Sequence, residues 1–384
     1  MRRSTAEMAP PDPLRIGISC FPSVGGSGTL ATALGQDLAA RGHDVHFICY
    51  ERPFRLLAEG PRLHFHPVVV NDYDVLKFPD YTLPLSVRMA EVSRDHRLDL
   101  LHVHYAVPHA TAAILARSML PPEGQPRVVT TLHGTDTTLL GHDPGYAPAI
   151  RHALTCSDAV TAVSASLRAE TERVFDFRGP IEVVHNFFVP RPPRRSAAEV
   201  RRELGVDGEV LVVHSSNLRP GKRIDLLLET VSRLRPRDAF RLLVLAGESF
   251  APYAERVRQL KLEDRLVVRE KVTDIEEYLQ VADIGLFTSD TESFCLSILE
   301  AMCFGCPSVS TRVGGIPEVV EDNVSGVLVP AGDAGALAGA LESLVHDPAR
   351  RRALGESARA RARELFAADV IVPRYEALYR RLCR

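Results

Sequence analysis

Two glutamates, Glu292 and Glu300, bracket an otherwise apolar stretch of the chain, Glu-Ser-Phe-Cys-Leu-Ser-Ile-Leu-Glu. A carboxylate set among Leu296, Ile298, Leu299 and Met302 needs a polar partner, because an unpaired buried charge is costly. The periodicity predicts a helix over 293–304, along which the eight-residue spacing spans about 12 Å. That separation matches the distance from a transferred sugar to the ribose of its nucleotide carrier. Carboxylates accept hydrogen bonds from sugar hydroxyls. The first free N–H groups of the helix, expected around Phe294, Cys295 and Leu296, suit a diphosphate. For Glu300 alone the bland alternative is half of a buried ion pair, which the cation turn upstream disfavours.

Upstream, Ser216-Asn217-Leu218-Arg219-Pro220-Gly221-Lys222-Arg223 follows an apolar run and opens a helical segment. Three cations at a helix start oppose the macrodipole, so they call for an anion; the bland alternative is a solvated basic turn. Arg219 could bind a phosphate bidentately and Lys222 as a point charge. Near the beginning, Gly25-Gly26-Ser27-Gly28-Thr29 lets the backbone approach an anion at another helix start. Gly26-x-Gly28-x-x-Ala31, with Glu51 after the second apolar run, also fits a dinucleotide fingerprint, or simply a tight turn. His102, His104, His109 and His133 fall near strand ends. No Cys or carboxylate joins them at metal-ligand spacing, so the expectation is no metal there. His133 leads into Gly134-Thr135-Asp136, which puts an imidazole at a sheet's carboxyl edge, where catalytic groups sit. Cys303-x-x-Cys306 has no second pair or His partner and is read as structural packing near a helix end at Gly305.

Elements that could position these groups recur along the chain. Apolar runs at 14–20, 44–50, 99–106, 127–134, 159–164 and 181–187 are followed by others at 209–217, 241–247, 265–271, 284–289, 307–311 and 326–330. Near-continuous hydrophobicity suits strands buried on both faces. Helical segments between them (29–41, 108–119, 222–234, 293–304, 334–345) imply βαβ units and doubly wound sheets, six strands in each half. The Pro/Arg stretch 190–196 divides the chain into a first domain, 1–189, and a second, 190–370. The tail reads as helix broken near Pro373. Its last part, 371–384, carries Tyr375, Leu378, Tyr379 and Leu382 at a spacing that would dock it back on the first domain.

With 384 residues, 45% hydrophobic and 25% charged, the chain is expected to be globular rather than disordered or fibrous. A net charge of -3 provides no global field for nucleic acid, so any anion must be bound locally. Seven cysteines scattered through apolar runs, no run near the ~18 apolar residues of a membrane span, and no apolar stretch after the opening arginines point to a cytoplasmic protein. Oligomeric state is not legible, and a homo-oligomer is compatible with the sequence.

The second half resembles the retaining GT-B glycosyltransferases of family 4. The likeness rests on Glu292-x7-Glu300, then Glu300-Ala-Met-x-x-Gly305-x-Pro307, then Gly314-Gly315-Ile-Pro317-Glu318. The glycine loop and the Lys222 turn extend it across nearly the whole chain. Two positions depart from the family pattern. Phe294-Cys295 replaces Phe-Gly, which adds bulk beside a diphosphate. Asn217 stands where an arginine is usual, with Arg219 two residues later, so either could meet phosphate. The first half is similar to members that glycosylate a small hydroxy acid, on Gly25–Gly28, His102-Val-His104-Tyr105-Ala-Val-Pro108-His109-Ala110, Thr131–Asp136 and Ser216–Arg219.

The resemblance implies an α/β GT-B fold, two Rossmann-like domains around one cleft. It implies transfer of N-acetylglucosamine from UDP-GlcNAc to the hydroxyl of L-malate, the first step of bacillithiol synthesis, with retention and with no cofactor or essential metal. By position, Glu300 would hold the ribose. Arg219 and Lys222, with Gly26, Asn217 and the N–H groups at Phe294, Cys295 and Leu296, would hold the diphosphate. Glu292 would hold donor-sugar hydroxyls, and His133 would sit near the reacting carbon. Malate would lie against Gly25, Ser27, Tyr105 and Thr135. Rival readings are another small anionic acceptor, an NAD-dependent oxidoreductase, an epimerase of the same fold, or an inactive sugar-nucleotide-binding module.

Overall fold

The structure, a computed structural model, describes residues 12–23, 25–70, 80–235 and 239–384. Most of the N-terminal segment read above for targeting, residues 1–11, lies outside these ranges. Two parallel sheets organise the chain. The first contains β1 (Arg15–Ser19), β2 (Asp44–Cys49), β3 (Leu63–Pro67), β4 (Leu100–His104), β5 (Arg127–Leu132), β6 (Ala159–Ala162) and β7 (Ile181–Val183), in spatial order 3-2-1-4-5-6-7. The second contains β8 (Val210–Ser216), β9 (Phe240–Ala246), β10 (Leu266–Glu270), β11 (Ile284–Phe287), β12 (Ser308–Thr311) and β13 (Gly326–Val329), in order 10-9-8-11-12-13. Each is a doubly wound sheet whose order reverses once, between β1 and β4 and between β8 and β11. Ligands of such sheets bind outside the strand carboxyl ends at that reversal.

The first sheet has seven strands, not the six expected. β3 escaped notice because Leu-His-Phe-His-Pro alternates apolar with polar and stays partly exposed at the sheet edge, so it lacks the continuous hydrophobicity of the others. The tail also differs from expectation. Its break lies at Ala367, in extended backbone (φ −74°, ψ 154°), between helices Pro348–Phe366 and Ala368–Leu382. Pro373 sits inside the second helix, where its missing N–H removes one main-chain bond near the helix start and is tolerated. That helix packs Ile371, Val372, Tyr375, Leu378 and Tyr379 into the core around Ile16, Ile18, Val45 and Phe47 of the first sheet. The Tyr379 hydroxyl also lies 2.6 Å from Nδ1 of His102, at the centre of that sheet.

The helix after β1, Gly26–Ala40, starts from extended Gly25 (φ −72°, ψ 159°), so its first N–H groups face the β1/β4 reversal. The helix after β11 starts later than expected, spanning Leu296–Cys303. Gly305 (φ +75°) ends it: Cys306 N–H donates to the Ala301 carbonyl and Gly305 N–H to that of Met302, the closure glycine permits. All seven cysteines are free, and burial pushes the Cys303 thiol up to about 12, in keeping with a packing role for the Cys303/Cys306 pair. Among the described residues no helix is long and apolar enough to cross a membrane.

Candidate active site

Most of the residues singled out by sequence gather on the loops beside the two sheet reversals, which face one another, while Glu300 lies within the helix Leu296–Cys303 and His102 and His104 within β4. On the first side, Tyr105 leaves β4 with φ +82° and donates its hydroxyl to Ser27 Oγ at 2.9 Å, in the first turn of the glycine-loop helix. Thr135 lies beside the same phenol, and the Arg219 guanidinium across the cleft acts electrostatically on it; burial is the larger influence and raises the phenol. Asp136 is fully buried and accepts from the Ala106 N–H at 2.8 Å and the His133 N–H at 3.4 Å, locking the turns after β4 and β5 together. Burial lifts this carboxyl to about 7.

His133 lies at the end of β5 with Nε2 2.8 Å from His104 Nδ1, the two rings stacked. Burial, reinforced by His109, holds His133 down at about 3, so the imidazole is neutral. The next residue, Gly134 (φ +114°), meets the opposite side of the cleft directly. A Cβ there would fall 1.7 Å from Ser293 Oγ, which explains the glycine. Similarly, a Cβ on Gly26 would come within 3.3 Å of Leu296. The two halves of the site are in contact.

On the second side, Lys222 Nζ and Glu292 Oε1 form a 2.5 Å ion pair, with Ser289 Oγ donating to the same oxygen at 2.8 Å. Burial alone would lower the lysine, but Glu292 and Cys295 more than reverse this and hold it charged. Arg223 is committed elsewhere, paired to Asp225 at 2.9 Å and Asp290 at 2.8 Å. The expectation of three cations awaiting an anion is thereby corrected: Lys222 and Arg223 are both paired to carboxylates. Arg219 is exposed, and among the described residues its guanidinium has no hydrogen bond or ion pair. The Asn217 side-chain Oδ1 accepts from the Arg219 N–H at 3.4 Å, which marks Asn217 as a turn-former.

The loop Glu292–Cys295 precedes the helix instead of forming part of it, correcting the picture of eight helical residues between the glutamates. Phe294 is buried against His185 and Phe366. Cys295 holds φ +69°, the left-handed region that the family's glycine adopts without cost. Its thiol is buried beside Glu292 and Lys222, and burial pushes it well above its usual range. Ile298 N–H is spent on the Cys295 carbonyl at 3.1 Å, so it is not among the donors that the helix start can offer. Gly314 and Gly315 pack under this loop: a Cβ on either would fall 1.8 and 2.2 Å from the Glu292 and Ser293 carbonyl oxygens.

Glu300 forms no hydrogen bond or ion pair among the described residues. Burial raises it to about 7, with Arg55 opposing and Glu276 reinforcing the shift. Those two neighbours were missed by sequence reasoning. Arg55, in the first half, clamps Glu276, in the second, through two bonds of 2.7 and 2.8 Å. Glu276 is only 2% exposed. A pairing between residues so far apart in the chain leaves no local signal. Glu318 was visible only as part of a motif. Its carboxylate accepts from the Ala165 and Ser166 N–H groups, both at 2.9 Å, and lies 3.0 Å from His185 Nε2. It therefore caps the helix Ala165–Phe175 of the other half.

Comparison with known proteins adds independent findings. Residues 24–191 match the family model described as Glycosyltransferase Family 4, and residues 196–361 match Glycosyl transferases group 1. The chain is 42% identical over 369 residues to N-acetyl-alpha-D-glucosaminyl L-malate synthase of Bacillus anthracis, covering 95% of this chain and 96% of that one. It is 28% identical to a GDP-mannose-dependent phosphatidylinositol monomannoside mannosyltransferase of Mycolicibacterium smegmatis, covering 76% and 78%. Among solved structures, sucrose-phosphate synthase of Thermosynechococcus elongatus superposes with a TM-score of 0.78 at 21% identity, covering 96% of this chain and 99% of that one. Anabaena HepE in complex with UDP superposes at 0.75 and 18% identity, covering 96% and 100%.

Proposed function

Because the chain belongs to the family 4 glycosyltransferases, with two Rossmann-like domains in the GT-B arrangement, we propose that it moves N-acetylglucosamine from UDP-GlcNAc to the hydroxyl of L-malate with retention of configuration. The observation that carries this reading is the position of Tyr105. It is hydrogen-bonded to Ser27 on one side and faces Arg219 on the other, so two anion-binding devices adjoin. The glycine-loop helix start offers free N–H groups to the carboxylates of malate. Arg219 and Lys222 offer charge to the diphosphate leaving group, which is what a metal ion would otherwise supply.

The unpaired Glu300 carboxylate is suited to accept hydrogen bonds from the ribose hydroxyls. Glu292 keeps Oε2 available for donor-sugar hydroxyls while Lys222 and Ser289 hold Oε1. His133 is neutral and serves as a hydrogen-bonding partner near the reacting carbon, not as a cation. In the front-side displacement typical of the family, the bond from the sugar's C1 to the phosphate oxygen breaks as malate oxygen bonds C1 from the same face. The departing phosphate oxygen takes the hydroxyl proton. The product would enter bacillithiol synthesis, and the seven free cysteines accord with a reducing cytoplasm. Family membership leaves the dinucleotide reading of Gly26–Ala31 and Glu51 without support.

The test is UDP release from UDP-GlcNAc with a panel of hydroxy acids and inositol phosphates, each with and without EDTA. The expected result is turnover with malate that survives EDTA. Turnover only with another acceptor replaces malate. UDP release with no acceptor, or none with any, overturns the proposal.

A further inference from the structure

At the β3 edge of the first sheet, the rings of four histidines, His46, His64, His66 and His96, cluster together. β2 and β3 pair in parallel with His46 opposite His64 and Ile48 opposite His66, so the three imidazoles share one face. His96 ends the helix Thr82–His96, which runs back towards the amino edge of the sheet and covers that face. The His46 and His96 ring centroids are 4.4 Å apart, and those of His66 and His96 5.1 Å. His46 Nδ1 lies 2.9 Å from His66 Nε2, and one nitrogen from each of His46, His66 and His96 falls within 4.8 Å of the others.

We propose that His46, His66 and His96 form a binding site for a divalent transition-metal ion of the zinc class, separate from the glycosyl-transfer cleft. Three convergent imidazoles suit such an ion. Its bonds of about 2.0–2.1 Å place neighbouring ligand atoms roughly 3.3 Å apart in a tetrahedron, so only small shifts are needed. Two further observations support the assignment. Nε2 of His46 is buried without a hydrogen bond, and the nearest acid is Asp44 Oδ2 at 3.4 Å. A carboxylate behind a ligand imidazole is the arrangement that fixes ring orientation in metal sites. Asp44 is itself held by His64 at 2.8 Å. Burial also pushes His46 and His66 down to about 4, so both keep a free lone pair at neutral pH. Arg88, a cation that acts on His66, is paired with Glu91 at 3.0 Å. His96 is exposed, which gives the ion an entry path and leaves a position for water.

The experiment titrates chelator-treated, full-length protein with Co2+ and follows ligand-field absorption, then displaces the cobalt with Zn2+. One cobalt per chain with a nitrogen-ligated spectrum is expected. The double variant His66→Ala/His96→Ala is expected to lose it, and Asp44→Asn to weaken it about 10–100-fold without changing stoichiometry. His96→Asn, at an exposed helix end where the fold is not at stake, is expected to lose most of the affinity. Zinc loading should raise the melting temperature of the native chain but not of His96→Asn. Absence of stoichiometric binding, a spectrum unchanged in His96→Asn, or a spectrum abolished by His104→Ala would overturn the proposal. Glycosyl transfer is not a readout here, so the result stands apart from the proposed function.

Discussion

Glu300 is a desolvated carboxylate with no protein partner, held near a pH where it titrates. Raised above its usual value, it favours the protein's folded state while protonated, and this contribution is lost as pH rises through about 7. Glu300→Gln should therefore raise the melting temperature at pH 8, by an amount equivalent to on the order of 1–3 kcal/mol, with little effect at pH 5. Ribose hydroxyls prefer the carboxylate, so the donor KM should increase as pH falls below about 7. The variant should lose both that dependence and about 10²-fold in kcat/KM. An unchanged pH profile in Glu300→Gln would remove it from donor binding. Lys222 carries a second prediction. Lys222→Ala removes charge from the leaving group and unpins Glu292, so kcat should fall about 10²–10³-fold in single-turnover measurements with saturating donor. A change confined to KM would show that Lys222 only helps binding. These residues were legible because their types and order are unusual in an apolar stretch. Their partners were not, since ion pairs such as Lys222–Glu292 depend on how loops from different strands approach one another.

At the scale of elements, Glu318 connects two units that sequence could only describe separately. Burial alone would raise its carboxyl, but His185 and the N–H groups of Ala165 and Ser166 bring it below the usual range. With a lowered folded value, its contribution is present at neutral pH and lost as the medium is acidified through that value. Glu318→Gln should destabilise the chain by about 1–2 kcal/mol at pH 7, and by less in acid, in urea titrations at both pH values. Equal losses at both pH values would mean that the charge is not what matters. Twelve of the thirteen strands among the described residues could be read from apolar runs because parallel strands buried on both faces are continuous in hydrophobicity. The exception, β3, is a half-exposed edge strand. Helix starts were less legible: Cys295 in the left-handed region delays the helix to Leu296, and no composition signal reveals a residue strained into that geometry.

At the scale of the whole molecule, Arg55 and Glu276 join the halves beside Glu300. Arg55→Ala leaves Glu276 buried without its counter-ion, for which about 3–5 kcal/mol of lost stability is expected in chemical denaturation. Removing the arginine also removes the charge that holds Glu300 down, so the donor KM profile should move to higher pH. A profile that stays in place would uncouple the pair from the site. Two domains were foreseeable from length and from the Pro/Arg stretch at 190–196. The ties across them were not, because each joins residues remote in sequence.

The helix Ala368–Leu382 follows the second sheet in the chain yet fills the core beneath the first. A ribosome therefore delivers the first sheet early and the side chains that complete its hydrophobic interior, Ile371, Val372, Tyr375, Leu378 and Tyr379, only after the second sheet. Until they emerge, Ile16, Ile18, Val45 and Phe47 lack that cover. Synthesis of the second half sets how long that exposure lasts.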